Sequence, residues 1–160
     1  MRMKTYTVVY PRTRTALCLG LKKKKRGTGL LIGFGGKVEP GETVRECASR
    51  ELSEECNLTG RPEDMKLSVV ATIHIPNTSF MLNIFFLDRF FGQIAETEEM
   101  FPYWFSRDNL PYERMFAPDR DWLPRALAGE RLRGVIHYDA SDKVLNSSWR
   151  SVSALQVADL

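Results

Sequence analysis

Residues 35–58 have the sequence GGKVEPGETVRECASRELSEECNL and gather six acidic residues around one predicted helix. Three of them, Glu51, Glu54 and Glu55, follow the spacing i, i+3 and i+4, so their carboxylates lie on one side of the helix, about one turn apart. Like charges at this spacing repel one another, whereas a hard cation such as Mg²⁺ takes oxygen ligands and would turn the repulsion into binding. The pattern therefore favours a metal site over a solvated acidic face.

Capping signals predict that this helix covers residues 43–56. Thr43 and Glu46 have the T-x-x-E spacing of a capping box, which satisfies the free amide groups at the start of a helix. Asn57 follows the last turn, and asparagine is the next choice after glycine for the left-handed residue that ends a helix. The apolar positions form a stripe that can pack on a sheet: Val44, Cys47, Ala48 and Leu52.

The rest of the chain predicts an α/β (α+β) order with many strands and two helices. A basic, glycine-containing loop covers residues 22–29, and a second, short helix covers residues 121–130. Runs rich in β-branched and aromatic residues predict strands at 5–10, 15–21, 66–75, 79–92, 103–105, 134–139 and 143–149.

The composition is that of one ordinary globular domain covering residues 1–160, with 43% hydrophobic and 27% charged residues. The net charge of +3 is too balanced to predict nucleic acid as a partner. No apolar run approaches the roughly eighteen residues of a membrane span. Three cysteines without CxxC spacing suit a reducing compartment. We therefore expect a cytoplasmic, monomeric protein that does not associate with membranes.

Residues 36–58 resemble the Nudix box, G-x5-E-x7-R-E-U-x-E-E-x-G-U, in which U is a bulky aliphatic residue. Eight of its nine fixed positions match over 23 residues, beginning with Gly36 and Glu42 and ending with Leu58. The position that differs is Asn57, which keeps the backbone role of the motif's glycine. Nine fixed positions are far more specific than a lone short glycine motif.

The resemblance implies the Nudix fold, an α/β/α sandwich with a mixed central sheet and the box helix packed on it. It also implies a loop-helix-loop that holds Mg²⁺, or alternatively Mn²⁺, against a diphosphate. Carried over by position, the implied metal ligands are the carbonyl of Gly35 and the carboxylates of Glu51, Glu54, Glu55 and Glu99. The implied catalytic residues are Glu51, Glu54, Glu55 and Arg50, with Arg50 orienting a glutamate through a charge-assisted hydrogen bond. The sequence leaves open which glutamate acts as the base.

Beyond the box, the chain resembles the animal-type oxidised purine nucleoside triphosphate hydrolases, which release a nucleoside monophosphate and pyrophosphate. The matching segments are YTVV (6–9), GFGGKVEPGET (33–43), EM-x-P-x-WF (99–105) and LP-x4-F through DWLP (110–124). The resemblance implies a small-molecule nucleotide substrate. The positions that line the nucleoside cleft in this family imply these substrate-binding residues: Thr7, Lys22, Ile32, Met81, Phe116 and Asp119.

The departures from that family lie in the same pocket. Ile32 replaces an asparagine, Phe116 replaces a tryptophan, and Pro118 replaces the first of two aspartates. Phenylalanine can still stack on a base, but isoleucine and proline offer no hydrogen bonds, so we expect weaker base discrimination.

Two alternative functions remain open from the sequence. The same chemistry could act on a dinucleoside polyphosphate, an RNA cap or a nucleotide sugar. Alternatively, the chain could be a non-catalytic nucleotide- or RNA-binding protein that uses the basic run KKKKR at residues 22–26. The intact set of box glutamates favours catalysis over binding alone.

Overall fold

The computed structural model describes residues 3–158. The helices are α1, Val44–Cys56, and α2, Asp119–Leu127, and single turns of 3₁₀ helix occur at Pro62–Asp64 and Tyr112–Arg114. The strands are β1 Lys4–Pro11, β2 Ala16–Lys22, β3 Leu31–Ile32, β4 Lys66–Ile75, β5 Thr78–Leu87, β6 Met100–Ser106, β7 Arg131–Tyr138 and β8 Val144–Val152. None of the helices in this part of the chain has the length and apolar character needed to cross a bilayer.

Two sheets form the centre of the fold. The larger sheet has the strand order β1-β5-β4-β7-β8, and the smaller sheet has the order β3-β2-β6. In the larger sheet, β1 runs parallel to β5 and β4 runs parallel to β7, whereas the pairs β4–β5 and β7–β8 are antiparallel. The larger sheet is therefore mixed, as the family resemblance predicts.

The two helices cover opposite faces of the larger sheet. Val9 of β1 packs in a buried cluster with Ala48 and Leu52 of α1. The next residue, Tyr10, packs in a second cluster with Trp122 of α2. Because successive residues of a strand point to opposite faces, α1 and α2 lie on opposite sides. The predicted α/β/α sandwich, with the box helix packed on the sheet, is confirmed.

The boundaries of α1 are set by the predicted capping residues. The Thr43 hydroxyl accepts the Glu46 N–H at 3.1 Å, and the Glu46 carboxylate accepts the Thr43 N–H at 2.8 Å, which completes the capping box. At the other end, Asn57 has a φ of 71° and donates its N–H to the Ser53 carbonyl at 3.1 Å. The predicted apolar stripe of α1 is buried. Local sequence therefore determines where this helix begins and ends.

The conformation of Asn57 leads to a stability prediction. We expect Asn57→Gly to change stability little, because glycine adopts a positive φ freely and only the side-chain bond to the Gln93 carbonyl is lost. We expect Asn57→Val to be less stable than Asn57→Gly by about 1 kcal/mol or more, since a branched side chain is strained at this φ. Thermal unfolding of the two variants checks this, and equal melting temperatures would contradict it.

Most predicted elements differ from the structure by one to five residues at an end, and three of the differences have a local explanation. The strand predicted at 79–92 ends at Leu87, because the next residue, Asp88, pairs with the side chains of Arg12 and Lys66. The short strand predicted at 103–105 is the seven-residue β6, because it pairs with β2 along its full length. The helix predicted at 121–130 begins two residues earlier and ends before Gly129, whose φ is 102°.

The three cysteines, Cys18, Cys47 and Cys56, are free thiols with no exposed surface. Burial raises the pKa of the Cys47 thiol to about 12 and that of the Cys56 thiol to about 12. Burial also raises the pKa of the Cys18 thiol well above its usual range. The thiols therefore serve as small apolar groups on the buried faces of α1 and β2.

Candidate active site

The glycine-rich segment 34–38 is held against β1 by backbone hydrogen bonds. The Val9 N–H donates to the Phe34 carbonyl at 2.6 Å, and the Thr7 N–H donates to the Gly36 carbonyl at 2.9 Å. The approach is so close that a Cβ on Gly35 would lie 1.8 Å from the Thr7 carbonyl oxygen. A glycine is required here for steric reasons, and the segment presents its backbone to the neighbouring helix α1.

The side chains of Glu51 and Glu55 meet this glycine segment. Glu55 is 2% exposed, and its carboxylate accepts the Gly35 N–H at 2.8 Å. The Glu51 carboxylate lies beside Gly36, where an added Cβ would come within 2.5 Å of Oε1. Glu99, at the start of β6, interacts with the Glu55 side chain. The structure thus brings Gly35 and Glu99, which are distant from α1 in sequence, to the side chains of Glu51 and Glu55.

The Arg50 guanidinium group contacts the side chains at three other box positions. It donates to both carboxylate oxygens of Glu42, at 3.0 and 2.7 Å, and to Glu51 at 2.9 Å. A longer contact of 3.3 Å reaches Glu54, whose side chain is 58% exposed. The bond from Arg50 lowers the pKa of Glu42 to about 2. Arg50 therefore fixes the orientation of Glu51, whereas Glu54 stays at the solvent edge.

The carboxylates crowd one another in the protein without a bound cation. Burial, the contact with Glu99 and the charge of Glu51 together raise the pKa of Glu55 to about 8, although the Gly35 N–H and Lys22 oppose this. Burial also raises the pKa of Glu51. Conversely, the hydrogen bond with Glu55 holds the pKa of Glu99 below its usual value, aided by Lys22. Lys22 therefore lies near the carboxylates.

The donor atoms at this site suit a hard divalent cation. They are carboxylate oxygens around a glycine backbone, and burial raises the pKa of both Glu51 and Glu55. Among residues 3–158, no three acidic, histidine or cysteine side chains come close enough to enclose an ion by themselves. An ion at this site would therefore need further ligands, and Mg²⁺ commonly takes water and substrate phosphates in addition to carboxylates.

Phe116 and Asp119 form a second group of site residues, where the β2–β3 loop approaches the start of α2. A Cβ on Gly27 would lie 3.2 Å from the Phe116 ring and 3.9 Å from Ile32, so these side chains flank the same loop. Asp119 is 7% exposed and accepts the Trp122 indole N–H at 3.0 Å. The structure therefore brings Ile32, Phe116 and Asp119 into one region, with a single buried carboxyl group.

Burial raises the pKa of Asp119 to about 7, against bonds from Trp122 and the Phe116 backbone that lower it. Burial raises the pKa of Tyr10, Tyr112 and Tyr138, and the charge of Asp119 adds to this effect in all three. A carboxyl group that titrates near neutral pH can donate a hydrogen bond when protonated and only accept when ionised. Its protonation state therefore bears on both stability and ligand binding.

Replacing Asp119 gives a pH-dependent prediction. Because its folded-state pKa of about 7 lies above the ordinary 3.8, its contribution to stability is complete below about pH 4 and is lost as the pH rises through 7. Asp119→Asn does not titrate, so its stability relative to wild type should rise by about 1.4 kcal/mol per pH unit between these values. Urea unfolding from pH 4 to 8 measures this. The exposed Asp121→Asn is the matched control, and a pH-independent difference for Asp119→Asn would contradict the prediction.

Two of the residues implied in substrate binding lie elsewhere. Thr7 is 1% exposed, and its hydroxyl faces the Cys47 thiol of α1 at 3.5 Å. Met81 pairs with Thr5 across the parallel β1–β5 ladder, and its sulfur accepts the Thr72 hydroxyl. Strand alternation places both residues on the α1 face of the sheet. Thr7 and Met81 therefore face α1, whereas Asp119 contacts Trp122 of α2 on the opposite side of the sheet.

Two residues near Phe116 were not predicted from the sequence. The Arg26 guanidinium lies 5.4 Å from the centroid of the Phe116 ring and 4.7 Å from that of Tyr138. Tyr138, at the end of β7, is 7% exposed and lies close enough to Asp119 to respond to its charge. The run of basic residues at 22–26 is evident in the sequence. The contact between Arg26 and Tyr138 is not, because it joins the β2–β3 loop to the end of β7, more than a hundred residues away.

The fold is that of a Nudix protein. The sequence matches the NUDIX domain over residues 1–126, and the chain belongs to this family. It is 37% identical over 138 residues to the oxidized purine nucleoside triphosphate hydrolase of Danio rerio, covering 86% of this chain and 88% of the relative. It is 33% identical over 150 residues to the protein of that name from Mus musculus, covering 93% and 96%. The predicted membership of the Nudix hydrolases is confirmed.

Solved structures agree with this fold. A MutT protein from Bacillus halodurans superposes with a TM-score of 0.79 at 22% sequence identity, covering 92% of this chain and 97% of that protein. The solution structure of the E. coli ORF135 protein superposes with a TM-score of 0.64, also at 22% identity, covering 80% and 90%. At this level of identity, the similarity establishes the arrangement of helices and strands.

Proposed function

We propose that this protein is a metal-dependent hydrolase that converts oxidised purine nucleoside triphosphates to nucleoside monophosphates and pyrophosphate, and so removes damaged nucleotides from the precursor pool. The observation that carries the proposal is that Glu51, Glu55 and Glu99 come together at the Gly35–Gly36 backbone. The ring of Phe116 and the buried carboxyl group of Asp119 supply a second set of groups that could bind a base. Relatives at 33–37% identity that are named for this reaction support it.

The metal in this proposal is Mg²⁺, with Mn²⁺ as the alternative. The carboxylates of Glu51, Glu54, Glu55 and Glu99 and the carbonyl of Gly35 would hold it. Bound there, a divalent ion neutralises phosphate charge and lowers the pKa of a water molecule. Arg50 keeps the Glu51 carboxylate in place through a 2.9 Å bond, and Lys22 adds positive charge where the phosphates arrive. One of the box glutamates accepts the proton of the attacking water.

The nucleoside would bind toward Phe116 and Asp119. The Phe116 ring offers a face for stacking, and Asp119 offers one strong polar contact to the base. Ile32 adds apolar surface but no hydrogen bond. We therefore expect that ordinary as well as oxidised purine triphosphates are cleaved, with a modest preference between them. Thr7 and Met81 would support the sheet beneath the site instead of contacting the base.

The proposal extends to the setting in which the protein works. We propose a single catalytic domain over residues 1–160 that acts as a monomer on free nucleotides in the cytoplasm, without nucleic acid or membrane partners. Three buried free thiols are consistent with a reducing compartment.

A substrate panel tests the proposed function. It comprises 8-oxo-dGTP, dGTP, 2-oxo-dATP, dATP, a nucleotide sugar, a dinucleoside polyphosphate and capped RNA, each with Mg²⁺ and with Mn²⁺, and measures pyrophosphate and phosphate separately. We expect pyrophosphate release from the purine triphosphates and no reaction in excess chelator. Turnover restricted to the sugar, the dinucleoside polyphosphate or the cap would replace the proposed substrate, and no turnover of any compound would favour a binding protein.

A further inference from the structure

The loop between β2 and β3 carries five consecutive basic residues, and the last of them, Arg26, has distinct surroundings. Its guanidinium carbon lies 4.7 Å from the centroid of the Tyr138 ring and 5.4 Å from that of Phe116. Both distances fall within the roughly 6 Å over which a cation and an aromatic face attract one another. Arg26 is therefore held against the aromatic wall of the proposed nucleoside site.

A tether on the other side keeps Arg26 in this position. Its Nε lies 3.3 Å from the carboxylate of Asp142, in the turn between β7 and β8. That turn is itself ordered, because the Asp139 carboxylate accepts the N–H groups of Ser141 and Lys143 at 2.8 and 3.0 Å. Arg26 thus spans from a loop of the smaller sheet to a turn of the larger sheet. Its side chain is 39% exposed, so part of its donor capacity is accessible to a ligand.

Arg26 and Asp119 supply opposite charges to the same end of the site. Both act on the Tyr138 hydroxyl, since Arg26 lowers and Asp119 raises its pKa, while burial raises it most. The neighbouring Ile32 and Pro118 carry no polar side-chain atom. At this end the Arg26 guanidinium can only donate hydrogen bonds, whereas the Asp119 carboxyl and the Tyr138 hydroxyl can also accept them.

We propose that Arg26 is a specificity-determining residue that selects guanine-type over adenine-type bases, an inference that rests on the proposed hydrolysis of purine triphosphates. Guanine and 8-oxoguanine both carry a carbonyl acceptor at C6, whereas adenine and 2-oxoadenine carry an amino donor there. A guanidinium has five N–H donors and no acceptor, so it binds the carbonyl and leaves the amino group unpaired. Phe116 and Tyr138 hold the guanidinium plane in place, which limits the cost of ordering it.

The test measures kcat/KM for dGTP, 8-oxo-dGTP, dATP and 2-oxo-dATP in wild type, Arg26→Lys and Arg26→Ala. We expect wild type to prefer each guanine-type substrate over its adenine-type counterpart by about tenfold or more, the size of one charge-assisted hydrogen bond. Arg26→Ala should remove most of this preference by raising KM for the guanine-type substrates. Arg26→Lys should retain part of it, because lysine keeps the charge but not the planar stack.

Lys24→Ala is the matched control, since it removes one positive charge from the same loop. It should change kcat/KM for both base types by the same factor and leave their ratio intact. An unchanged ratio in a folded Arg26→Ala protein would overturn the proposal and leave Arg26 as a clamp between loop and turn. A wild-type preference for adenine-type substrates would also overturn it while the proposed function stands. Failure of wild type to cleave any purine triphosphate would overturn both.

Discussion

Glu55→Gln should lower kcat by about a thousandfold or more while the protein remains folded. The substitution removes the charge that a divalent cation requires and changes the shape of the side chain little. The glutamine carbonyl can still accept the Gly35 N–H, which Glu55 accepts at 2.8 Å. The pKa of Glu55 is raised to about 8, so a neutral side chain is already accommodated near pH 7 in the absence of a cation. The melting temperature without added metal should therefore stay close to that of wild type.

Glu46→Gln provides the matched control for this experiment. Glu46 lies on the same helix, but its carboxylate accepts the Thr43 N–H in the capping box, a role that glutamine also fills. We expect its turnover to equal that of wild type. Steady-state rates with Mg²⁺ and thermal unfolding are measured for both variants. Near-normal turnover by folded Glu55→Gln protein would show that the carboxylate site is not the catalytic centre.

The same substitution at two adjacent glycines should have separate effects on folding and on activity. A Cβ on Gly35 would lie 1.8 Å from the Thr7 carbonyl oxygen, which is backbone and cannot yield without breaking the bonds that join segment 34–38 to β1. Gly35→Ala should therefore destabilise the protein by about 3 kcal/mol or more. A Cβ on Gly36 would instead meet the Glu51 carboxylate at 2.5 Å, and a side chain can move.

Gly36→Ala should accordingly fold nearly as well as wild type but displace Glu51, lowering activity by about 10- to 100-fold. Each variant serves as the control for the other, since both add one methyl group to the same segment. Chemical denaturation and steady-state rates are measured on both proteins. A wild-type melting temperature for Gly35→Ala, or unchanged activity for Gly36→Ala, would contradict the steric argument.

Short-range patterns predict the box helix and much of the carboxylate site. Thr43, Glu46 and Asn57 act on atoms only three or four residues away, so their roles follow from spacing alone. The i, i+4 relation between Glu51 and Glu55 is likewise a property of one helix. Glu99 is brought to this site by β6, and its assignment came from the family resemblance. Helical geometry could not have located it.

The arrangement around Phe116 and Asp119 does not follow from short-range patterns, because it depends on strand faces and on contacts between segments distant in sequence. Thr7 and Met81 were assigned by position along the chain, but the face that each residue presents depends on the sheet's layers. Arg26 meets Tyr138 only because the β2–β3 loop and the β7–β8 turn approach one another in the folded protein. Neither local periodicity nor composition predicts that the Arg26 guanidinium lies close to the Tyr138 ring.

The burial of the three thiols has a consequence for the chemical durability of the protein. Peroxide attacks the thiolate form of cysteine, and the raised pKa values of Cys18, Cys47 and Cys56 keep all three protonated at neutral pH. Cys47 lies on the buried face of α1, against Thr7, where a sulfenic acid would disturb the packing of the helix on the sheet. We therefore expect these thiols to react slowly with peroxide, so that oxidative stress of the kind that damages guanine nucleotides would affect them less than exposed, ionised thiols.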